Sequence, residues 1–351
     1  MFKKFAPFLL LLPLALMALL SFFGCGTVSS SGGGGGAVPL AGSLYVSGYL
    51  SNEVYVLDPN TLAVKSIIKL PDVARGNWMG LSPDGKKLCI TDYSGTDVYV
   101  INTETVTCER TINAHETSPM GIAFTATGTT AVVAQDDWIS HIGVENGLYL
   151  DSRPFIDASG NGYGAALNPL NNRIYVVAST NRILSYAISG YSSSQNTTID
   201  AEALYGDNCW LRDISFPAGT NRFFVTKTNW PYGVMMFNSS DESYINTVTS
   251  ESAMVRRIAA APNGGMLYMN DGCYSQINTL NVNNPTSIDI HAVSGGSVAG
   301  IAVSLDSNYV FVFAYDSPHT RVVKLDKNLN FIASAEVPST LGSWGSLMMV
   351  P

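Results

Sequence analysis

Beyond a glycine-rich stretch near the N-terminus, apolar residues recur in short runs bounded by polar turns. Leu44-Tyr45-Val46 is followed by Val54-Tyr55-Val56-Leu57, by residues 64–70, and by Met79-Gly80-Leu81 leading into Ser82-Pro83-Asp84-Gly85. Runs of this length, rich in β-branched and aromatic residues and separated by Gly, Asn, Asp and Ser, predict strands rather than helices. The four-strand unit then repeats. With Tyr45 as phase marker, equivalent positions fall at Cys89, Val132, Tyr175, Phe224, Tyr268 and Phe311, between 43 and 49 residues apart. No unit of that size buries its own apolar faces; seven packed face to face around an axis do.

The pattern therefore predicts an all-β fold: a seven-bladed β-propeller of four-stranded antiparallel blades over residues 43–351. The first unit begins at its second strand, and residues 342–350, reading GSWGSLMMV, supply the strand it lacks. The C-terminal strand is thus expected to join the first blade and close the ring, removing open sheet edges.

Leu44-Tyr45-Val46-Ser47, the SPDGKKLCIT segment at 82–91 and Val98-Tyr99-Val100-Ile101-Asn102-Thr103 resemble the YVTN-type repeats of bacterial and archaeal propellers, with their SPDG turns. The resemblance spans the chain beyond the tether. It is clear in the first two units and poor at residues 189–207, which read as an insertion lengthening one blade connection, either a partner contact or a neutral elaboration. Proteins with this repeat include surface-layer proteins, periplasmic binding proteins, cytochrome-associated propellers and lactonase-like enzymes, so it implies a fold more strongly than an activity.

The first residues are a targeting segment. Lys3 and Lys4 precede an apolar run from Phe8 to Phe23 that is short for a membrane span. Phe22-Phe23-Gly24-Cys25 resembles a lipobox, although Phe23 departs from the small residue usual there. The resemblance implies a signal peptide over 1–24 and lipidation at Cys25; an ordinary cleaved signal and a retained anchor are the alternatives. Gly26 after the cysteine implies the outer membrane. Residues 25–42, with SSSGGGGG at 29–36, read as a flexible tether. The expected location is the bacterial cell envelope, with the membrane as one partner through the lipid.

Charge narrows the partners. Formal net charge is −8 with only 19 Lys and Arg, which argues against nucleic acid, whose affinity rests on clustered cations. Aligning the inner strands on their Pro-Asp-Gly-like turns puts Asn77, Met120, Tyr163, Arg212, Arg256, Ala299 and Trp344 in one row near a channel mouth. The next row is Trp78, Gly121, Gly164, Asp213, Arg257, Gly300 and Gly345. Small residues suit a crowded axis; Trp78, Asp213 and Arg257 break that rule. One reading makes the arginines donors to a carboxylate, sugar acid or other anion between aromatic walls of Trp78, Tyr163 and Trp344. The other has Asp213 pair with Arg257 and cap the channel while the aromatics plug it.

Cys209 and Cys273 fall in loops expected on the same face and form a candidate disulfide; Cys89 and Cys108 are expected to be unpaired and buried. His115, His141, His291 and His319 fall at different phases, and no Gly-x-Ser-x-Gly, His-Glu-x-x-His or Cys-x-x-Cys-His motif occurs. Asp136, Asp137, Glu145 and Asp151 lack the alternating spacing of a calcium loop. No catalytic set, metal or cofactor is expected. The preferred reading is a non-enzymatic propeller binding an envelope protein, glycan or small ligand on one face. A lactonase-like or amine-dehydrogenase-like enzyme or redox subunit and a surface-layer component are the alternatives.

Overall fold

The computed structural model describes residues 42–351 except 72–74, 156–159, 180, 190–191, 207–208, 253, 271–273, 294–295 and 344, and only the backbone of Asn77. The signal peptide expected over 1–24, Cys25, most of the expected tether, Cys273 and Trp344 lie outside the described residues.

The described strands form seven four-stranded antiparallel sheets. Blades 2 to 7 occupy residues 76–113, 122–154, 162–200, 211–250, 257–292 and 297–337. Blade 1 combines Ser43–Gly48, Glu53–Leu57 and Val64–Lys69 with the C-terminal strand Gly345–Val350, which is innermost in that sheet. Innermost strands touch in cyclic order, with Gly345–Val350 between those of blades 7 and 2. The ring is therefore closed by the chain's last strand.

Each second strand is buried on both faces because neighbouring blades cover both, which is why these segments read as nearly continuous apolar runs. The phase markers Tyr45, Cys89, Val132, Tyr175, Phe224, Tyr268 and Phe311 are all 0% or 1% exposed. Seven apolar clusters fill the spaces between blades. One joins Leu44, Val46 and Leu347 of blade 1 to Phe311 and Phe313 of blade 7, so burial as well as hydrogen bonding holds the seam. Gly85, in the Ser82-Pro83-Asp84-Gly85 turn, has φ +74°, a conformation glycine adopts without strain.

The structure corrects three expectations. Most of residues 189–207 is not an inserted loop: Ser192–Asp200 is the outermost strand of blade 4, followed by a one-turn helix, Ala201–Tyr205, capped by Asp200. Its run SSSQNTTID lacks apolar alternation because an outermost strand has little to bury. Cys108 is half-buried rather than buried, since it lies on the outer strand Thr107–Asn113; it and the fully buried Cys89 are free thiols. Finally, Ser47 pairs with Ser346 and Gly48 with Gly345. Ser346, not Gly345, therefore occupies the place that Trp78 and Arg257 hold opposite Thr91 and Asn270. The last strand lacks a Pro-Asp-Gly turn to set its alignment, which is why the sequence slips there by one.

Candidate functional site

Bulges interrupt several innermost strands at the mouth, including those of blades 2, 4, 5 and 7. Residues two positions beyond the phase markers secure the strand starts. Trp78 N–H donates to Thr91 Oγ1 at 3.3 Å, and that hydroxyl donates to the Met120 carbonyl of the next blade at 2.9 Å. Asp213 N–H donates to Thr226 Oγ1 at 2.9 Å, which donates to the Arg256 carbonyl at 3.0 Å. Arg257 N–H donates to Asn270 Oδ1 at 3.0 Å. Each bond joins neighbouring strands or blades.

Tyr49, Trp78, Tyr93 and Tyr163 line a cavity of ≈ 320 Å³ with Arg212, Arg256 and Arg257; Met120, Asn270 and Ala299 complete its wall. Two arginines lie on aromatic faces. The Arg212 guanidinium carbon is 3.7 Å from the Tyr163 ring centroid, and that of Arg257 is 3.9 Å from Trp78. A cation over a ring face is attracted by the ring quadrupole. Arg257 Nη1 also donates to Ser346 Oγ at 3.1 Å. Arg212 has no hydrogen bond or ion pair among the described residues, so its donors are open to the cavity.

Burial lowers the pKa of Arg212, with Tyr163 opposing the shift and Arg256 adding to it. Arg257 is lowered to about 10, by burial first, against the attraction of Asp213. These guanidiniums remain charged at neutral pH, and their repulsion would be relieved by an anion. No carboxylate lines the cavity among the described residues.

Asp213 lines a second chamber further along the axis, of ≈ 340 Å³, which Trp78 and Arg257 also border. Those two side chains thus form the partition. Asp213 Oδ1 accepts the Ile214 N–H at 2.9 Å and Oδ2 the Ile258 N–H at 3.0 Å. Its pKa is nevertheless raised to about 6, chiefly by burial. Asp213 and Arg257 both shift toward their neutral forms, so burial outweighs their attraction, and the carboxylate chiefly ties blade 5 to blade 6.

Of the residues singled out in the sequence, Trp78, Tyr163, Arg212, Arg256 and Arg257 come together in one cavity, whereas Asp213 falls beyond the partition. Asn77 contributes described backbone only, and Trp344 lies outside the described residues. Cys209 is fully buried with its Sγ 3.7 Å from the Ala201 carbonyl oxygen; its proposed partner, Cys273, is outside the described residues. Sequence reasoning missed Tyr49 and Tyr93, although both stand four residues after a phase marker. They pack at 5.7 Å, and Arg75 Nη1 donates to Tyr49 Oη at 3.2 Å. Among the described residues, no three His, Cys, Asp or Glu side chains are grouped to hold a metal.

Fold and mouth together define a closed seven-bladed propeller. A functionally unknown protein from Desulfotomaculum acetoxidans matches with a TM-score of 0.72 at 12% identity, over 88% of this chain and 99% of that one. A Bacteroides fragilis protein provisionally described as a 6-phosphogluconolactonase gives 0.71 at 14% identity, over 88% and 98%. The dihydro-heme d1 dehydrogenase NirN gives 0.62 at 11% identity, over 89% and 75%. At these identities the likeness is one of fold. No family model and no curated protein matches the sequence.

Proposed function

We propose that this chain is a binding propeller of the bacterial envelope that takes a small anionic ligand with a ring-shaped body, such as a sugar acid, in its channel mouth. The supporting observation is Arg212, laid on Tyr163 with no hydrogen bond or ion pair among the described residues, beside Arg256 and Arg257 in an aromatic-walled cavity. An arginine held flat on a ring presents its N–H edges to a carboxylate or phosphate. The aromatic walls give an apolar body its burial, and the volume lies at the small end of ligand pockets, about 300–1,000 Å³. The lipobox-like Cys25 and its glycine tether support envelope anchoring.

The direct test is titration of purified protein with galacturonate and glucuronate against galactose and glucose. Saturable binding of the acids, lost in Arg212→Met and absent for the neutral sugars, is the expected result; equal response to acids and neutral sugars would discard the reading. Labelled palmitate should be incorporated by the full chain and not by Cys25→Ala.

Lactone hydrolysis is the enzymatic alternative, prompted by the name of the Bacteroides fragilis neighbour. Turnover of sugar lactones that is lost in Arg212→Met would favour it over binding alone.

A further inference from the structure

Blade 5 brings to the mouth face two side chains that neither the core nor the cavity uses. Trp210 and Trp230 are 59% and 65% exposed. Trp210 stands two residues before Arg212, so their Cα atoms are at most about 7 Å apart. Trp230 lies in the loop between Arg222–Lys227 and Tyr232–Asn238, at the same end of the blade.

The two segments are bonded to each other. Trp210 N–H donates to Asn229 Oδ1 at 2.9 Å, while Thr228 N–H and Oγ1 donate to the Trp210 carbonyl at 2.7 and 3.1 Å. Beneath them, Lys227 is fully buried, and its Nζ donates to the carbonyls of Asn229 and Pro231 at 3.0 and 2.7 Å. It also stands 4.8 Å from the Tyr205 ring centroid. Burying an ammonium costs several kcal/mol unless its donors are satisfied. Here two of them are directed at the carbonyls flanking Trp230, so a buried cation steadies a loop whose tryptophan remains in water. An indole held in place and left hydrated loses little conformational entropy when it meets a ligand.

Resting on the anion-binding reading of the mouth, we propose that Trp210 and Trp230 form a second subsite, and that the ligand is an acidic oligosaccharide. One acidic ring sits at Arg212, and the following rings run out across the indoles. The cavity holds only a short run of such rings, so a longer chain must leave it over the mouth face. Indole faces carry negative charge density, which attracts polarised C–H groups, and the adjoining Thr228 and Asn229 offer polar groups to hydroxyls. A protein partner would instead bury about 800 Å² on each side around a contiguous apolar centre; the segment leading into Trp230 is polar, Thr228-Asn229.

Galacturonic acid and its dimer and trimer, titrated calorimetrically into the full chain, test this. Affinity should rise at least tenfold from monomer to trimer. In Trp210→Ala and Trp230→Ala the trimer should bind as the monomer does, and Trp230→Phe should restore part of the gain. Monomer binding with no gain for the trimer overturns the second subsite, gives the exposed rings to a protein partner, and leaves the mouth reading standing. A gain that survives both alanine substitutions also overturns it. Binding of none of the acids overturns both readings together.

Discussion

The ring around the axis has two kinds of contact between neighbouring innermost strands. At Gly121, Gly164 and Gly300 the strands approach so closely that an added Cβ would stand 1.9 Å from the Tyr163 carbonyl oxygen, 2.4 Å from Asp213 Oδ1 and 2.8 Å from the Gly345 carbonyl oxygen. At Trp78, Asp213 and Arg257, in the same row, large or charged side chains are accommodated because each has its own arrangement. Trp78 and Arg257 stack to form a partition, and Asp213 bonds backbone amides of its own and the next blade. Where the repeat is obeyed, the row closes the ring. Departures from it coincide with the partition and the edge of the cationic mouth, because each departure requires a specific set of partners.

If that division holds, substitution at the two kinds of position has consequences of different size. Gly121→Ala, which drives a methyl group into the backbone of blade 4, should cost about 3 kcal/mol or more in chemical denaturation. A loss under about 1 kcal/mol would show that the strands yield easily and that the glycines are not needed for closure.

Asp213 comes next in size. Its folded pKa of about 6 lies above its ordinary 3.8, so its stability contribution is complete below the unfolded value and is lost as pH rises through about 6. A shift of that size corresponds to about 3 kcal/mol at most. Unfolding curves from about pH 4 to pH 7 should show this decline in the native chain and a flatter profile in Asp213→Asn. Identical profiles would mean that the carboxylate is better solvated or better paired than its burial indicates.

Arg212→Met should have the smallest effect on unfolding, under about 1 kcal/mol, since what it removes is one stacking contact, while the binding of sugar acids disappears. A loss as large as that of Gly121→Ala would make Arg212 part of the fold rather than of the mouth.

Legibility differed from place to place. The phase markers were readable because each occupies a strand covered on both faces, so burial recurs every 43 to 49 residues as a run of apolar letters. Trp78 and Arg257 were readable as exceptions within a row of small residues, and Arg212 and Arg256 as cations in a chain with only 19 Lys and Arg. Tyr49 and Tyr93 were not picked out, because a tyrosine after a strand has many surroundings and only the ring brings these two beside Trp78. The platform of Trp210 and Trp230 carries no local signature either: its support is Lys227, whose ammonium bonds to the loop carbonyls of Asn229 and Pro231.

By itself, the sequence determined the seven units, their phase, the closing strand and the positions where a side chain interrupts the axial row. These follow from alternation and burial, which act locally and repeat from blade to blade. Tertiary structure alone decided that Asp213 falls beyond the partition while Arg212 faces the mouth, that Ser346 rather than Gly345 completes the row, and that tyrosines from two blades join the cavity. Around a closed axis, a bulge or a one-residue change of register redirects a side chain from one chamber to the other, and neither is encoded in the order of apolar and polar residues.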